Sequence, residues 1–535
     1  MRDQDELNDN LIHRVNVGDL LSRSAARAPG HAAIVDGDRR FTYADFNHWV
    51  NRTAHGLAAL GYRRGDALAL MSGNSAEFLA IYFACAKLGL VCVPINLLWR
   101  HGELGYVLDH AQAKGIVVEA ALLGQLIPAL ETTASFIRTV IVVGVPEQHG
   151  RFAAADVEVL DFGDLGLGQP ADEPACVAGD RDAISYLYTS GTTSAPKGVV
   201  GSHIAIYLEA LGVAIDTGLT RKDRVAAMLP FFHTAQLNAF CTPAVAVGAT
   251  IYVLRGFDAP SLLDLIGRER ISIVFGLPVM YRTLLDQQTR APRDVSSLRL
   301  AVYAMAPMER EEVRRMMGAF DCDFSLMFGQ TEMSPVSAFF RPEHQLSHSG
   351  AAGTPSINVR IAIMSEDGEL LAPGQSGEIV YRSPQVLSGY LHNPAATAEA
   401  FRHGWFHSGD VGHFDEDGIL WFEDRFKDVI KSGGENVASL EVETALYAVE
   451  PRILEAAVVG LPHDRWGEAI TAFVLLRPGE TISEEALIET VRQRLSPFKC
   501  PKAIITVDAF PKTATGKVQK VELRRRFADH YGRAV

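Results

Sequence analysis

The sequence predicts an α/β fold, large in its N-terminal part and closed by a small α+β unit. Three observations carry this expectation. Short apolar runs alternate with amphipathic helical segments from Asn51 to Tyr303, the pattern of mostly parallel sheets covered by helices. From Arg360 to Tyr381 the texture turns to shorter strands broken by Glu366-Asp367-Gly368 and Pro373-Gly374. Finally, the charged, glycine-bearing run DRFKDVIKSGGENV, beginning at Asp424, sets apart a last stretch with its own helix and strands.

Taken in order, Asn51–Leu60 and Ser75–Leu88 have helical spacing, while Ala67–Met71 and Val91–Ile95 read as buried strands. Further strands are expected at Arg224–Met228, Thr250–Val253, Ile273–Phe275 and Leu300–Tyr303, with a helix at Ala259–Arg268 between them. Ile419–Phe422 reads as the strand before the boundary. Beyond it come an amphipathic helix from about Ser439, strands at Ala456–Val459 and Ala472–Leu476, and a basic tail. This divides the chain into 1–425 and 426–535, and the second part is long enough to fold by itself.

Composition excludes several classes of function. Fifty Lys and Arg stand against 64 Asp and Glu, a net charge of -14. Neutralising a long phosphate backbone needs surplus basic charge, so no nucleic-acid partner is expected. The cysteines at 85, 92, 176, 241, 322 and 500 show no zinc-knuckle spacing and read as buried reduced thiols. Met1–Asn10 is polar and acidic, without a basic-then-apolar leader pattern, and runs such as Ile271–Tyr281 are too short to span a bilayer. A cytoplasmic protein without a membrane span is expected.

The most informative stretch is YTSGTTSAPKGVV, Tyr188–Val200. Thr189, Ser190, Gly191, Thr192 and Thr193 offer hydroxyls and backbone N–H groups, and Lys197 adds an ammonium, a set that suits a polyphosphate. It is not a Walker loop, because Lys197 is followed by Gly198 rather than Ser or Thr. Taken alone, the stretch also reads as a solvated surface turn.

Other motifs follow in a fixed order: Pro230-Phe231-Phe232-His233, Phe328-Gly329-Gln330-Thr331-Glu332, Ser408-Gly409-Asp410, Asp424-Arg425-Phe426-Lys427-Asp428, Lys431-Ser432-Gly433-Gly434-Glu435-Asn436, and Pro511-Lys512-Thr513-Ala514-Thr515-Gly516-Lys517. With this set the chain, from about Leu20 to Phe527, resembles the adenylate-forming superfamily of acyl-CoA synthetases, peptide-synthetase adenylation domains and luciferases. The resemblance implies ATP, Mg²⁺ and coenzyme A as cofactor and substrates, and a small-molecule carboxylic acid as partner. It also implies that the small α+β C-terminal domain is mobile. The homodimer is carried as a candidate oligomeric state.

The chemistry such a family performs explains the residue types. A carboxylate attacking the α-phosphate of ATP is an anion meeting an anion, so the transition state needs a metal ion and a positioned cation. By resemblance, Glu332 serves the magnesium with Thr192, Thr331 contacts the α-phosphate, and Phe328 and Gln330 belong to the nucleotide set. Phe328 packs on adenine at a position where Tyr is more usual. Asp410, with Arg425, holds the ribose hydroxyls, and Lys517 is the catalytic cation of adenylation. Lys427 is the hinge, and Gly433 and Gly434 admit the pantetheine arm, since glycine permits close backbone approach.

His233, Gln236, Gly276 and Met305 are the expected acyl and CoA contacts. Amino-acid-activating relatives carry an Asp near His233; Phe232-His233 offers none, which favours an acid without a nearby positive charge. Trp466-Gly467-Glu468 fits the pattern with no chemistry assigned. Two departures stand out: Ser194 replaces a usual loop glycine, and Met305 sits where small residues are common. The leading expectation is a two-step carboxylic acid:CoA ligase. The alternatives are an enzyme that performs only thioesterification of a preformed adenylate, and a non-catalytic nucleotide-binding relative.

Overall fold

The computed structural model describes residues 2–132, 136–144, 157–189, 196–425, 428–433, 435–512 and 517–532. The chain divides into two compact units, Met1–Arg360 with Tyr381–Phe406, and Ile361–Val380 with His407–Val535.

The first unit holds two sheets. One has eight strands in the order Gly389–Tyr390, Lys197–Ser202, Ala183–Thr189, Val91–Pro94, Ala67–Met71, Gly115–Glu119, Thr139–Val143 and Glu158–Asp161. It is parallel from Ala183–Thr189 outward, and the strands beyond that on the other edge pair antiparallel. Ala67–Met71 lies at its expected bounds and is buried along its whole length. A strand covered on both faces reads as an unbroken apolar run, which is why it was legible.

Ser75 is the cap rather than the first turn of the next helix, Ala76–Leu88: its side chain accepts the Phe78 N–H, and Gly89 ends the helix in the left-handed conformation. Every residue of that helix except Glu77 is buried, so it shows no polar face. The helix expected at Asn51–Leu60 is the second half of Tyr43–Ala59. Its first half escapes the pattern because buried Tyr43, Phe46 and Asn47 mix aromatic and polar character.

The second sheet has nine strands: Thr354–Pro355, Val336–Phe340, Asp323–Gly329, Leu300–Ala304, Ile273–Gly276, Arg224–Ala227, Thr250–Val253, Ala32–Asp36 and Arg39–Thr42. From Asp323–Gly329 to Ala32–Asp36 all neighbours are parallel. Their C-terminal ends therefore open along one edge, where open α/β sheets bind ligands.

The second unit contains a four-stranded sheet, ordered Arg360–Met364, Gly377–Arg382, Phe406–Phe414 and Leu420–Arg425. It also contains a five-stranded sheet built on the hairpin Ile453–His463 and Gly467–Leu476. Alternation sends Ala456 and Val458 to one core with Val442 and Leu446 of the helix Ser439–Val449, and Ala457, Val459 and Leu461 to a second core with Phe473 and Leu523. Both hairpin strands extend beyond the expected Ala456–Val459 and Ala472–Leu476, because polar and Pro residues such as Glu455, Pro462 and Glu468 still pair. All six cysteines are free; five are buried and Cys322 is half-buried. No helix among the described residues is long and apolar enough to cross a membrane.

Candidate functional site

In the first unit, the expected site residues gather at the C-terminal ends of neighbouring parallel strands. His233 follows Arg224–Ala227, Gly276 ends Ile273–Gly276, Met305 follows Leu300–Ala304, and Phe328 lies near the end of Asp323–Gly329. Thr189 ends its strand in the other sheet and pairs with Lys197, so this ladder holds both ends of the Ser/Thr/Gly loop. Ser190, Gly191, Thr192, Thr193 and Ser194 lie outside the described residues.

Glu332 lies in the single turn Thr331–Met333, its backbone carbonyl accepting the Leu387 N–H at 2.8 Å. The chain doubles back tightly before it. Gln330 N–H donates to Pro335 O at 3.0 Å, and a Cβ on Gly329 would stand 1.9 Å from that same oxygen, so only glycine fits there. Glu332 Oε1 accepts the Tyr390 hydroxyl at 3.1 Å, and Lys197 Nζ lies over the Tyr390 ring, 5.1 Å from its centre. One aromatic ring thus joins the loop cation to the candidate metal carboxylate. Burial and the adjacent Glu332 charge push the Tyr390 phenol well above its usual range, so it remains a hydrogen-bond donor. The sequence reading missed Tyr390. A two-residue strand in SGYLHNP carries no periodicity to find it by.

His233 precedes a short helix, Thr234–Gln236, that continues through a π turn at Leu237–Cys241 into Thr242–Val247. Such one-residue expansions recur at functional sites. Gln236 is fully buried; its Oε1 accepts the Leu229 N–H at 3.1 Å, and its Nε2 has no partner among the described residues. His233 Nε2 is likewise shut from solvent and unpartnered. Thr234 donates to Ser334 O at 3.2 Å, tying this segment to the Glu332 turn. Met305 is 57% exposed with φ at +77°, a left-handed conformation that glycine would adopt without strain.

In the second unit, antiparallel pairing sets Asp410 opposite Arg425, and the Arg425 Nε lies 3.2 Å from Asp410 Oδ1. The turn before Asp410 is braced by a buried carboxylate. Glu378 Oε2 lies 2.6 Å from His407 Nδ1, while its Oε1 accepts the Gly409 N–H at 3.0 Å. Gly433 adopts φ +64°, donates its N–H to Trp466 O at 2.8 Å, and would bring a Cβ within 3.1 Å of the Trp466 ring. Glu468 Oε2 accepts the Lys431 N–H at 2.7 Å. The Trp466-Gly467-Glu468 motif therefore clamps the Lys431–Gly433 turn. Lys517 is exposed, beside the Lys512–Val518 bridge. Lys427 and Gly434 lie outside the described residues.

Two buried histidines make the protein acid-sensitive. Burial lowers both His203 and His233 to about 4, and His203 Nδ1 already accepts the Val17 N–H at 3.2 Å. The unfolded chain takes up protons near pH 6.5 while the folded chain resists until near 4, so stability falls as pH drops through that window. Each histidine contributes on the order of 3 kcal/mol of such loss. Melting temperature is expected to be flat from about pH 8 to 6.5 and to fall steadily below; His233→Gln should make the fall between about pH 6.5 and 5 shallower. An unchanged slope in that variant refutes the assignment.

Comparison with known proteins agrees with this arrangement. The sequence model described as AMP-binding enzyme matches residues 21–391, and that of the AMP-binding enzyme C-terminal domain matches 441–517. A feruloyl-CoA synthase of an Amycolatopsis species is 35% identical over 511 residues, 96% of this chain and 99% of its own length. A long-chain fatty acid CoA ligase of Mycobacterium tuberculosis is 34% identical over 516 residues, again 96% and 99%. The crystal structure of an anthranilate CoA ligase in complex with anthranoyl-AMP superposes with a TM-score of 0.87 at 27% identity, covering 97% of this chain and 98% of that one. The chain belongs to the AMP-binding enzyme family, within the adenylate-forming superfamily that contains these CoA ligases.

Proposed function

We propose that this protein is an AMP-forming carboxylic acid:CoA ligase. An acid and ATP give an acyl-adenylate and pyrophosphate; the CoA thiol then displaces AMP to leave the thioester. The observation that carries the reading is the meeting of Lys197 and Glu332 on Tyr390 at the C-terminal edge of the parallel strands. A cation and a carboxylate held there suit a triphosphate and its metal. The relatives named above, all CoA ligases, support it, as does the acyl-adenylate bound to one of them.

The residue roles follow from chemistry. Glu332, with Oε1 bonded to Tyr390, keeps Oε2 for a hard cation, and Mg²⁺ characteristically takes one or two carboxylates beside substrate phosphates and water. Thr192 would join it. When bound, the ion screens the α-phosphate against the incoming carboxylate. Thr189, Ser190, Gly191, Thr192, Thr193 and Lys197 cradle the phosphates, Thr331 contacts the α-phosphate, and Phe328 and Gln330 flank the base. Asp410, already paired with Arg425, accepts from the ribose hydroxyls. Lys517 stabilises the charge that builds during adenylation. His233, Gln236, Gly276 and Met305 border the acid, and Gly433 and Gly434 the thiol arm.

Functionally the chain divides at 425/426, with Lys427 as pivot between half-reactions. Lys427→Pro fixes φ and removes an N–H. Adenylate should then accumulate while thioester formation falls about tenfold or more, read by single-turnover assay. Unchanged transfer removes Lys427 as the pivot. A cytoplasmic location and a homodimer complete the reading. Neither the single half-reaction nor the non-catalytic alternative gains an observation. The decisive experiment assays a panel of carboxylic acids for pyrophosphate release and CoA thioester formation together; release without any thioester would overturn the ligase assignment.

A further inference from the structure

Glu209 is a buried carboxyl that no side chain among the described residues answers. It lies on the helix His203–Asp216, is 1% exposed, and neither of its oxygens closes a hydrogen bond among the described residues. Buried polar groups in native proteins are almost always paired, so two orphan oxygens on one side chain call for an explanation. No described residue forms an ion pair with it. Burial pushes the carboxyl well above its usual range, against a weaker pull from the backbone amide of Val336, which favours the neutral acid, able both to donate and to accept.

The same region is polar from the catalytic edge inward. Thr234 donates to Ser334 O, two residues past Glu332. Asn238 Nδ2 donates to Thr234 Oγ1 at 2.8 Å, and Asn238 Oδ1 accepts from the Tyr82 hydroxyl at 3.3 Å. The helix that carries Glu209 packs on the π turn Leu237–Cys241 and on the strand Val336–Phe340, which opens just beyond the Glu332 turn. Along this track His233 Nε2, Gln236 Nε2 and both oxygens of Glu209 close no hydrogen bond among the described residues. On the ligase reading above, the acid reacts beside Glu332, at the outer end of this track.

We propose that Glu209 is a specificity-determining residue for the acid, and that the preferred acids carry a hydroxyl group remote from the reacting carboxylate to meet it. This rests on the ligase reading above. A hydroxyl fits better than an ammonium, because no group nearby would offset the desolvation of a buried ion pair, whereas a neutral carboxyl and a hydroxyl exchange two hydrogen bonds at no such cost.

The test uses the full chain and matched acids: cinnamate against its para-hydroxy and para-amino forms, and hexanoate against its omega-hydroxy and omega-amino forms. Pyrophosphate release gives kcat/KM for each. The hydroxy acid of at least one set should exceed its parent by about tenfold or more, since a site built to bond a hydroxyl rejects the analogue lacking it. Glu209→Leu should collapse that ratio to about one or below, and Glu209→Gln should retain part of it. A ratio near one in the unmutated enzyme, or one that survives Glu209→Leu, overturns the proposal; preference for an amino acid analogue overturns the hydroxyl class. If no acid of either set turns over, the wider acid panel above decides the ligase reading, and thermal melting decides the role of Glu209. Removing an unanswered buried carboxyl should raise the melting temperature of Glu209→Leu, while a purely structural Glu209 would lower it.

Discussion

Lys517→Ala is expected to slow adenylate formation by about 100- to 1000-fold, the usual worth of one positioned electrostatic group. Transfer from preformed acyl-adenylate to CoA should change far less, because no charge builds on the α-phosphate in the same way when the thiol displaces AMP. The side chain is exposed, next to Val518 of the Lys512–Val518 pairing. Pyrophosphate release and single-turnover thioester formation, measured on the same preparation, separate the two steps. Equal losses in both would refute the assignment.

Glu332→Ala should suppress ATP-dependent pyrophosphate release by a comparable factor, roughly 100-fold or more, and removing Mg²⁺ with a chelator should do the same to the unaltered enzyme. The variant also leaves the Tyr390 hydroxyl without its acceptor, and the Lys197 ammonium above that ring loses the carboxylate beyond it. Tyr390→Phe separates these effects. It keeps the ring under Lys197 and deletes only the hydrogen bond, so its loss should be much smaller, within about tenfold for one hydrogen bond to a charged group. Undiminished release in chelator, or from Glu332→Ala, would overturn the metal role.

The sheets were legible because strands buried on both faces are written as unbroken apolar runs, as in ALALM of Ala67–Met71. The ordered motifs pointed to Lys197, Glu332 and the Asp410–Arg425 pair for a different reason: glycine turns and acid–base chemistry restrict which residue types can stand there. Tyr390 was not legible, since its role depends on a strand crossing to Val199 that no local pattern announces. Glu209 had one available signal. In HIAIYLEALGVAID it shares a helix face with Ile206 and Val213, at the spacing that buries it, so a lone acid on an apolar stripe was the clue. The clamp of Trp466 and Glu468 on Lys431–Gly433 needed the hairpin to bring distant residues together.

The π turn at Leu237–Cys241 makes chain length a determinant of what the acid meets. A π turn holds one more residue than an α turn, so deleting any single residue within it could restore a regular helix. Everything ahead of the deletion would then swing by about 100° around the axis relative to Thr242–Val247. Thr234 and Gln236 would leave their partners at Ser334 and Leu229 together, with no substitution at either. Surveys that exchange one amino acid for another would never sample that change, whereas a set of one-residue deletions and compensating insertions across 237–241 would re-aim a whole wall of the site in single steps.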